Sequence, residues 1–179
     1  INNGINLSGR GGMVWTKNRS NSGDPLLIDT VRGGGLGLNS DKVIGQFSGM
    51  GNTFTSTGYT TANFADPMQT TSGNTFVSWT FRKAEKFFDI VTYTGDGTNR
   101  DIPHSLGAVP GWIIIKRTST TGSWIVYCNS LGSSSNLQLE DTSVVNSSST
   151  LFNSTNPTST TFTVSGDVSV NGSLDTYVA

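Results

Sequence analysis

Short apolar runs alternate with polar residues along most of this chain, in the two-residue period of β-strands. In NTFVSWTFR, residues 74–82, Val77, Trp79 and Phe81 fall on one side of an extended chain and polar residues on the other. The stretch FFDIVTYT at 87–94 continues the pattern, and Gly-Asp-Gly follows it as a tight turn. Because side chains alternate between the two faces of a strand, this period predicts strands with one buried face.

The segment WIIIK, residues 112–116, is apolar on both faces, which is typical of a strand in the middle of a sheet. Turn residues separate the apolar runs at a spacing of roughly 8–12 residues. Apolar residues do not recur with the i, i+3, i+4, i+7 spacing of an amphipathic helix, so no helix of more than two turns is expected. The pattern predicts an all-β fold, an antiparallel and jelly-roll-like β-sandwich.

The first half of the sequence matches the second when it is shifted by 99 residues. Identical residues then align in six pairs: Gly12 with Gly111, Lys17 with Lys116, Ser20 with Ser119, Gly23 with Gly122, Gly33 with Gly132 and Leu38 with Leu137. TFVSW at 75–79 resembles TYVA at 176–179 after a further shift of two residues. We therefore predict an internal duplication, with a first β repeat at 1–87 and a second at 88–179, packed as one compact unit around a pseudo-twofold axis.

Charged residues are scarce, at 13% of the chain, and the formal net charge is −1. Ser, Thr, Asn and 22 Gly supply the polarity instead, and these residues favour turns over helices. A near-neutral chain lacks the basic surface that binds nucleic acid, and we interpret RKAEK at 82–86 as a solvated connector. No apolar run reaches the roughly 20 residues of a membrane-spanning helix, so membrane insertion is not expected. Because the sequence begins at Ile1, we expect a processed or partial product.

Hydrolysis of a glycan requires two carboxylates that face each other across about 5–9.5 Å. The acidic residues here are scattered, and most are flanked by turn-forming residues, as are Asp24, Asp41, Asp66, Asp96 and Asp167. Asp29 and Asp89 differ because they lie inside apolar strands. A carboxylate in such a strand could cap a bulge, meet Arg32 or Lys17, or face solvent, and an active carboxylate is the remaining alternative.

The other reactive side chains do not form a recognisable catalytic group. His104 precedes Ser105, but neighbouring residues of a strand point to opposite faces and cannot act as base and nucleophile, so we expect a loop histidine that bonds main-chain groups. Cys128 is the single cysteine and follows apolar residues, so we expect a buried, inert thiol. The sequence therefore predicts no catalytic residue, no cofactor site and no metal site.

Aromatic residues offer a different function, because exposed rings can stack on sugars or bind proteins. The four tryptophans, Trp15, Trp79, Trp112 and Trp124, all lie within strand patterns, where packing in the core is the expected role. The polar stretch NSSSTLFNSTNPTSTT at 146–161 has the composition of a shallow glycan-contacting or protein-contacting loop, and also that of an ordinary solvated loop.

Several motifs of the second half together carry a family resemblance. They are WTFRKA at 79–84, FDIVTYTGDG at 88–97, HSLG at 104–107, VPG at 109–111 and IKR at 115–117. With them, residues 76–179 resemble a domain that recurs in tail-fibre and other appendage proteins of bacteriophages, especially marine ones, and GGMVWTKNRS resembles its earlier part more loosely. The resemblance implies a structural or receptor-contacting part of a virion and brings no catalytic residues.

The expected function is that of a non-enzymatic structural module of a bacteriophage virion appendage, a tail fibre or surface protein that contributes to host attachment. Its expected partners are other copies of itself, in a trimer or another symmetric assembly, and other virion proteins. A lectin-like adhesin head that binds host surface glycan or protein is the alternative. A glycan-degrading enzyme that uses Asp29 or Asp89 is a third hypothesis. Each of the first two hypotheses, the structural module and the adhesin head, places the chain on the external surface or tail of a virion.

Overall fold

The computed structural model describes residues 1–61, 68–147 and 149–179. Strands make up 36% of the chain and helix 2%, and the paired strands run antiparallel. The predicted all-β class is therefore confirmed. The physical cause is the two-residue period of the apolar side chains. In an extended chain this period places them on one face, which can be buried, whereas in a helix it would spread them around the axis.

Fourteen short strands and one helical turn are formed by the described residues. Those before residue 85 are β1 (Gly12–Asn18), β2 (Leu26–Asp29), β3 (Leu36–Asn39), β4 (Phe47–Ser48), β5 (Thr53–Thr55), β6 (Gly58–Thr60) and β7 (Phe76–Arg82). Those after it are β8 (Thr92–Thr94), β9 (Arg100–Pro103), β10 (Trp112–Arg117), β11 (Trp124–Cys128), β12 (Leu137–Gln138), β13 (Thr161–Val164), α1 (Val168–Asn171) and β14 (Thr176–Val178).

The chain divides into two compact units. The first consists of Ile1–Asp41 and Gln46–Ala84, and the second of Lys42–Gly45 and Glu85–Ala179. The four residues Lys42–Gly45 thus pack with the second unit, although the sequence places them within the first predicted repeat. The predicted boundary at 87/88 and the packing of the halves around a pseudo-twofold axis stay predictions.

The first unit is built on a five-stranded sheet in the order β4-β3-β2-β1-β7, accompanied by the hairpin β5-β6. Val14 on β1 lies opposite Ile28 on β2, and each residue is at most 1% exposed to solvent. Leu7, Leu26, Met50 and Tyr59 complete the core of this unit. Burial of each such side chain contributes about 1.5–3 kcal/mol, so this face of the sheet is what stabilises the unit.

The second unit has a five-stranded sheet in the order β12-β11-β10-β14-β8 and a second, two-stranded sheet of β9 and β13. Its core joins residues of both sheets: Ile113, Ile115, Ile125, Tyr127 and Tyr177 from the larger, and Ile102, Phe162 and Val164 from the smaller. The core is therefore a layer between two sheets, as in a sandwich. The predicted mid-sheet position of WIIIK is confirmed, because β10 is the third of the five strands.

The hydroxyl groups of two tyrosines at this core form hydrogen bonds with main-chain groups in and just after the helical turn α1. The Tyr177 hydroxyl donates to the carbonyl of Val168 at 2.6 Å and accepts from the amide of Gly172 at 2.8 Å. The Tyr93 hydroxyl donates to the carbonyl of Val170 at 2.7 Å. Because each buried hydroxyl has a partner, the aromatic rings can be buried without the cost of an unpaired polar group.

The two large sheets share their strand order and register. β3-β2-β1-β7 in the first corresponds to β12-β11-β10-β14 in the second. Met13 lies opposite Asp29 on the β1–β2 pair, and the residues 99 positions later, Trp112 and Cys128, lie opposite each other on β10–β11. The turn after each second strand contains a glycine with positive φ, +96° at Gly33 and +77° at Gly132. Glycine is favoured there because other residues are strained in this conformation.

Candidate functional site

Asp29, one of the two acids that stood out in the sequence, closes the turn between β2 and β3. It is 3% exposed, and its Oδ1 accepts hydrogen bonds from the amides of Val31 at 2.9 Å and Arg32 at 2.8 Å. Its Oδ2 lies 2.5 Å from Nε of Arg32 in a buried ion pair. Of the alternatives open at the sequence level, the contact with Arg32 is the one that forms. Both oxygens serve the fold of the turn.

Asp89 and His104 fix another turn; the expectation that Asp89 lies inside a strand is wrong, because it precedes β8. Asp89 Oδ2 accepts from the amide of Ser105 at 2.7 Å, and Oδ1 accepts from the amide of Ile90 at 2.9 Å. His104 Nδ1 accepts from the amide of Leu106 at 3.2 Å, which assigns the proton of the neutral ring to Nε2. The expectation of a loop histidine that bonds main-chain groups is confirmed. The imidazole also stacks on Phe162, with ring centroids 6.4 Å apart.

Cys128 ends β11 and is 8% exposed, so its predicted burial is confirmed. Its Sγ lies 3.0 Å from Oγ of Ser130, and this hydrogen bond lowers the pKa of the thiol. Among the described residues, no group of three His, Cys, Asp or Glu side chains is placed to hold a metal ion.

The acids predicted to belong to turns do so where the contacts are described. Asp96 Oδ1 accepts from the amide of Thr98 at 2.9 Å, and Asp167 caps α1 by accepting from the amide of Ser169 at 2.7 Å. The hydrogen bond from Thr98 is the main cause of the lowered pKa of Asp96. Asp66 lies outside the described residues.

The tryptophans are not all in the core. Trp124 is 3% exposed, as expected, and Trp15 is half-buried, whereas Trp79 is 48% and Trp112 is 63% exposed. The expectation of core packing is therefore wrong for Trp15, which lies on the same face as Trp79 and outside the core, and for Trp79 and Trp112. Strand alternation alone does not say which face of a sheet is covered. The rings of Trp79 and Trp112 lie on the face opposite the core of their own unit, because their strand neighbours Thr80 and Ile113 lie on the core side.

Trp15 and Trp79 form the centre of an apolar surface on the first sheet. They lie opposite each other on β1 and β7, with an edge-to-face contact and ring centroids 5.9 Å apart. We call the surface the tryptophan face; it consists of Met13, Trp15 and Lys17 on β1 and Val77, Trp79 and Phe81 on β7. All six side chains are at least partly exposed, so this face is a candidate binding surface.

Lys116 was not recognised from the sequence as a site residue, although its environment is unusual. It is fully buried, and its Nζ donates to the carbonyls of Val43 at 3.0 Å and Gly122 at 2.5 Å. Nζ also lies 5.8 Å from the ring centroid of Trp124. Removal from water lowers the pKa of Lys116 to about 8; the negative charge of Glu140 opposes this shift and the positive charge of Arg117 adds to it.

Lys116 belongs to a set of contacts that fixes the segment Lys42–Gly45, which we call the clasped segment. The indole Nε1 of Trp124 donates to the carbonyl of Lys42 at 3.1 Å, and the amide of Gly122 donates to the carbonyl of Val43 at 2.8 Å. Together with Lys116, they give the clasped segment three hydrogen bonds to β10, β11 and their connection. The alignment of Lys17 with Lys116 was the available signal in the sequence, since a repeated lysine among apolar residues suggests a structural use.

The comparisons with known proteins give one result for almost the whole chain. A family described as "Domain of unknown function (DUF7483)" matches residues 3–179. The chain belongs to this family. No match was found among curated proteins or among solved structures.

In this DUF7483 chain, the polar stretch 146–161 is anchored by a buried ring. Phe152 is 1% exposed and packs edge-to-face on Tyr127, with ring centroids 5.4 Å apart. The following residues 153–156 are exposed, and the Asn153 side chain accepts from that of Asn99 at 3.0 Å. The loop thus presents amide and hydroxyl groups from a fixed base. Among the described residues, no helix of the DUF7483 chain is long and apolar enough to cross a bilayer.

Proposed function

We propose that the DUF7483 chain is a non-enzymatic structural module of a bacteriophage virion appendage and contributes to host attachment. The observation that carries the non-enzymatic part is the use of Asp29, Asp89 and His104, whose side chains accept main-chain hydrogen bonds and define turns. These contacts fix the main chain at two turns, which accounts for the three side chains without a catalytic role. The phage assignment is supported by the resemblance of residues 76–179 to appendage domains.

We propose further that the two units descend from one duplicated ancestor. Supporting this are the shared strand order and the identical register of β1–β2 and β10–β11. A side-chain contact is repeated as well: Lys17 donates to the carbonyl of Gly23 at 2.5 Å, and Lys116 to that of Gly122 at 2.5 Å. Repetition of a module is common in elongated and symmetric assemblies.

The test of the structural role is assembly and location. Sedimentation equilibrium of the full chain is expected to give a trimer or another closed oligomer, and gold-labelled antibody against the chain is expected to mark the appendages of purified virions. A chain that stays monomeric at high concentration and does not label particles contradicts the proposal.

The second candidate function is a lectin-like head, and the exposure of Trp79 and Trp112 favours it. An exposed indole on a rigid strand can stack on a sugar ring without an ordering cost in its own backbone. A glycan array with the wild type, Trp79→Ala and Trp112→Ala is the test, with Phe87→Ala as a matched control because Phe87 is 66% exposed. Binding that one tryptophan variant loses and the control keeps supports this function; a blank array across plausible host glycans removes it.

A further inference from the structure

Strand β7 forms an open edge of the first sheet. It is the last strand in the order β4-β3-β2-β1-β7 and pairs with β1 alone. Hydrogen bonds from the Arg19 amide to the Thr75 carbonyl, 2.8 Å, and from the Lys83 amide to the Gly11 carbonyl, 2.9 Å, show which residues of β7 face β1. Since antiparallel pairs alternate, the main-chain N–H and C=O groups of Phe76, Ser78 and Thr80 point away from β1.

Among the described residues, no strand pairs with these outward main-chain groups. Within residues 1–61, 68–147 and 149–179, no main-chain hydrogen bond reaches the outer edge of β7. The strand is seven residues long, contains no proline and carries one charged residue, Arg82, at its end. Protected edge strands are usually short, charged or broken by proline. Edge β7 has none of these protections over Phe76–Phe81.

The corresponding edge of the second unit is covered. There β14 pairs with β10 on one side and with β8 on the other. Tyr177 lies opposite Tyr93, and the amides and carbonyls of Val91 and Ala179 exchange two hydrogen bonds of 2.8 Å. The amide of Gly95 donates to the carbonyl of Asp175 at 2.7 Å. One antiparallel strand therefore satisfies this whole edge.

The two edges correspond residue by residue. Lys17 lies opposite Val77 in the first sheet, and Lys116 lies opposite Val178 in the second, which relates β7 to β14 by a shift of 101 residues. Under this shift Asp175, Tyr177 and Ala179, which bond β8, become Asn74, Phe76 and Ser78. Asn74 also has a buried side-chain nitrogen, Nδ2, that lacks a hydrogen-bond partner. The described part of the first unit thus has the same edge without a strand equivalent to β8.

We propose that the outer edge of β7 binds an extended segment of another polypeptide as an antiparallel sixth strand of the first sheet. Strand addition of this kind takes its affinity from main-chain hydrogen bonds and its specificity from alternate side chains. β8 shows the chemistry required: Val91 and Tyr93 are turned inward and Thr92 and Thr94 are exposed, and the Tyr93 ring stacks on Tyr177 with centroids 5.2 Å apart. The bound segment would place an aromatic residue against Phe76.

A different protein is the favoured source of this strand. Two segments of this chain with the required pattern, Val91–Thr94 and Thr161–Val164, are already hydrogen-bonded to β14 and β9. A second copy could offer its own β7. The core-side residues at the centre of that strand are Ser78 and Thr80, so it has no aromatic residue in the position that Tyr93 occupies in β8. The proposal rests on the fold of the first unit and does not depend on a virion role.

The test uses the isotope-labelled full chain and a synthetic peptide with the sequence of residues 88–96. By NMR, the peptide is expected to slow amide exchange at Phe76 and Ser78 by about tenfold or more, because a new hydrogen bond must open before exchange. A peptide N-methylated at the positions of Val91 and Tyr93 loses the donors that face the edge and should not protect. The matched control, N-methylated at the positions of Thr92 and Thr94, keeps those donors and should still protect.

A protein variant gives a second, independent reading. Ser78→Pro removes one outward N–H and no bond to β1, and proline is tolerated at such edge positions. We expect Ser78→Pro to lose protection by the peptide, while Ser78→Ala keeps it. If Ser78→Pro does not fold, the comparison of the two N-methylated peptides on the wild-type chain tests the proposal instead. The proposal is overturned if the peptide at millimolar concentration gives no protection. It is also overturned if Phe76 and Ser78 become protected as the protein concentration rises without peptide, since the occupant would then be a second copy.

Discussion

Lys116 donates a hydrogen bond of 2.5 Å from its buried Nζ to the carbonyl of Gly122, six residues along the chain. Lys17 makes the same contact with Gly23, also at 2.5 Å, but remains partly exposed. The same local geometry therefore occurs in two environments. In the second unit the clasped segment adds a further carbonyl, that of Val43, and completes the burial of the ammonium group.

The burial of Lys116 predicts an unusual dependence of stability on pH. Burial lowers the pKa of Lys116 to about 8 in the folded chain, against about 10.4 when unfolded. Between these values the unfolded state binds more protons, so the free energy of unfolding should rise with pH, by about 2 kcal/mol between pH 7.5 and 9.5. Urea unfolding of the wild type and of Lys116→Met measures this, and the rise should be smaller in the variant, which keeps only the part that the lowered pKa of Cys128 contributes.

The control for this prediction is Lys17→Met, which should keep the rise because it leaves Lys116 and its buried contacts in place. Measurements stop at pH 9.5 because burial raises the pKa of Tyr177, whose contribution to stability is lost once tyrosines of the unfolded chain ionise near pH 10. An equal slope in wild type and Lys116→Met would show that Lys116 titrates normally.

A methyl group at Gly45 should disturb the clasped segment. A Cβ there would lie 2.9 Å from the carbonyl oxygens of Thr118 and Thr120, which are main-chain atoms and cannot swing away. We expect Gly45→Ala to lower the free energy of unfolding by about 1–3 kcal/mol and to speed exchange of the Gly122 amide, which donates to Val43. Gly35→Ala, where a Cβ meets nothing within 4 Å, is the control. Unchanged exchange at Gly122 would count against the clasp.

Removal of the charge on Asp29 should destabilise the first unit. Asp29→Asn leaves the Arg32 guanidinium buried without its counter-ion, and one of its nitrogens, Nη1, already lacks a partner. Breaking one side of a buried ion pair costs about 3–5 kcal/mol, so a large decrease in denaturant midpoint is expected. Asp41→Asn, on an exposed residue, should change it little. A loss below about 0.5 kcal/mol for Asp29→Asn would contradict the structural role, since that is the range of neutral surface changes.

Tryptophan quenching can check which rings face water. Acrylamide should quench the fluorescence of Trp112 more than that of Trp124, because these side chains are 63% and 3% exposed. Trp112→Phe is thus expected to reduce the quenchable fraction of the emission, and Trp124→Phe to increase it. The reverse order would mean that Trp112 is covered in solution, as in an oligomer that buries this face.

Much of the fold was within reach of the sequence because it depends on local periodicity. The alternation at 74–82 specified β7, and the double-sided apolar run at 112–116 specified a central strand. The shift of 99 residues even carried the register, since a strand that slips by one residue would turn its apolar set outward. Asp29 and His104 were identified as residues to examine, but only the structure distinguished Arg32 as the partner of Asp29.

By itself, then, the sequence determined the all-β class and strands such as β7 and β10, because side-chain alternation and turn residues act over a few positions. Tertiary structure alone decided that Trp79 and Trp112 are exposed while Trp124 is buried. It also decided that a segment more than 70 residues earlier in the chain buries Lys116. In the part of the chain that the structure describes, it left the outer edge of β7 without the strand that β8 provides for β14. The physical reason is that alternation assigns a residue to a face or an edge, whereas long-range packing determines whether that face or edge is covered.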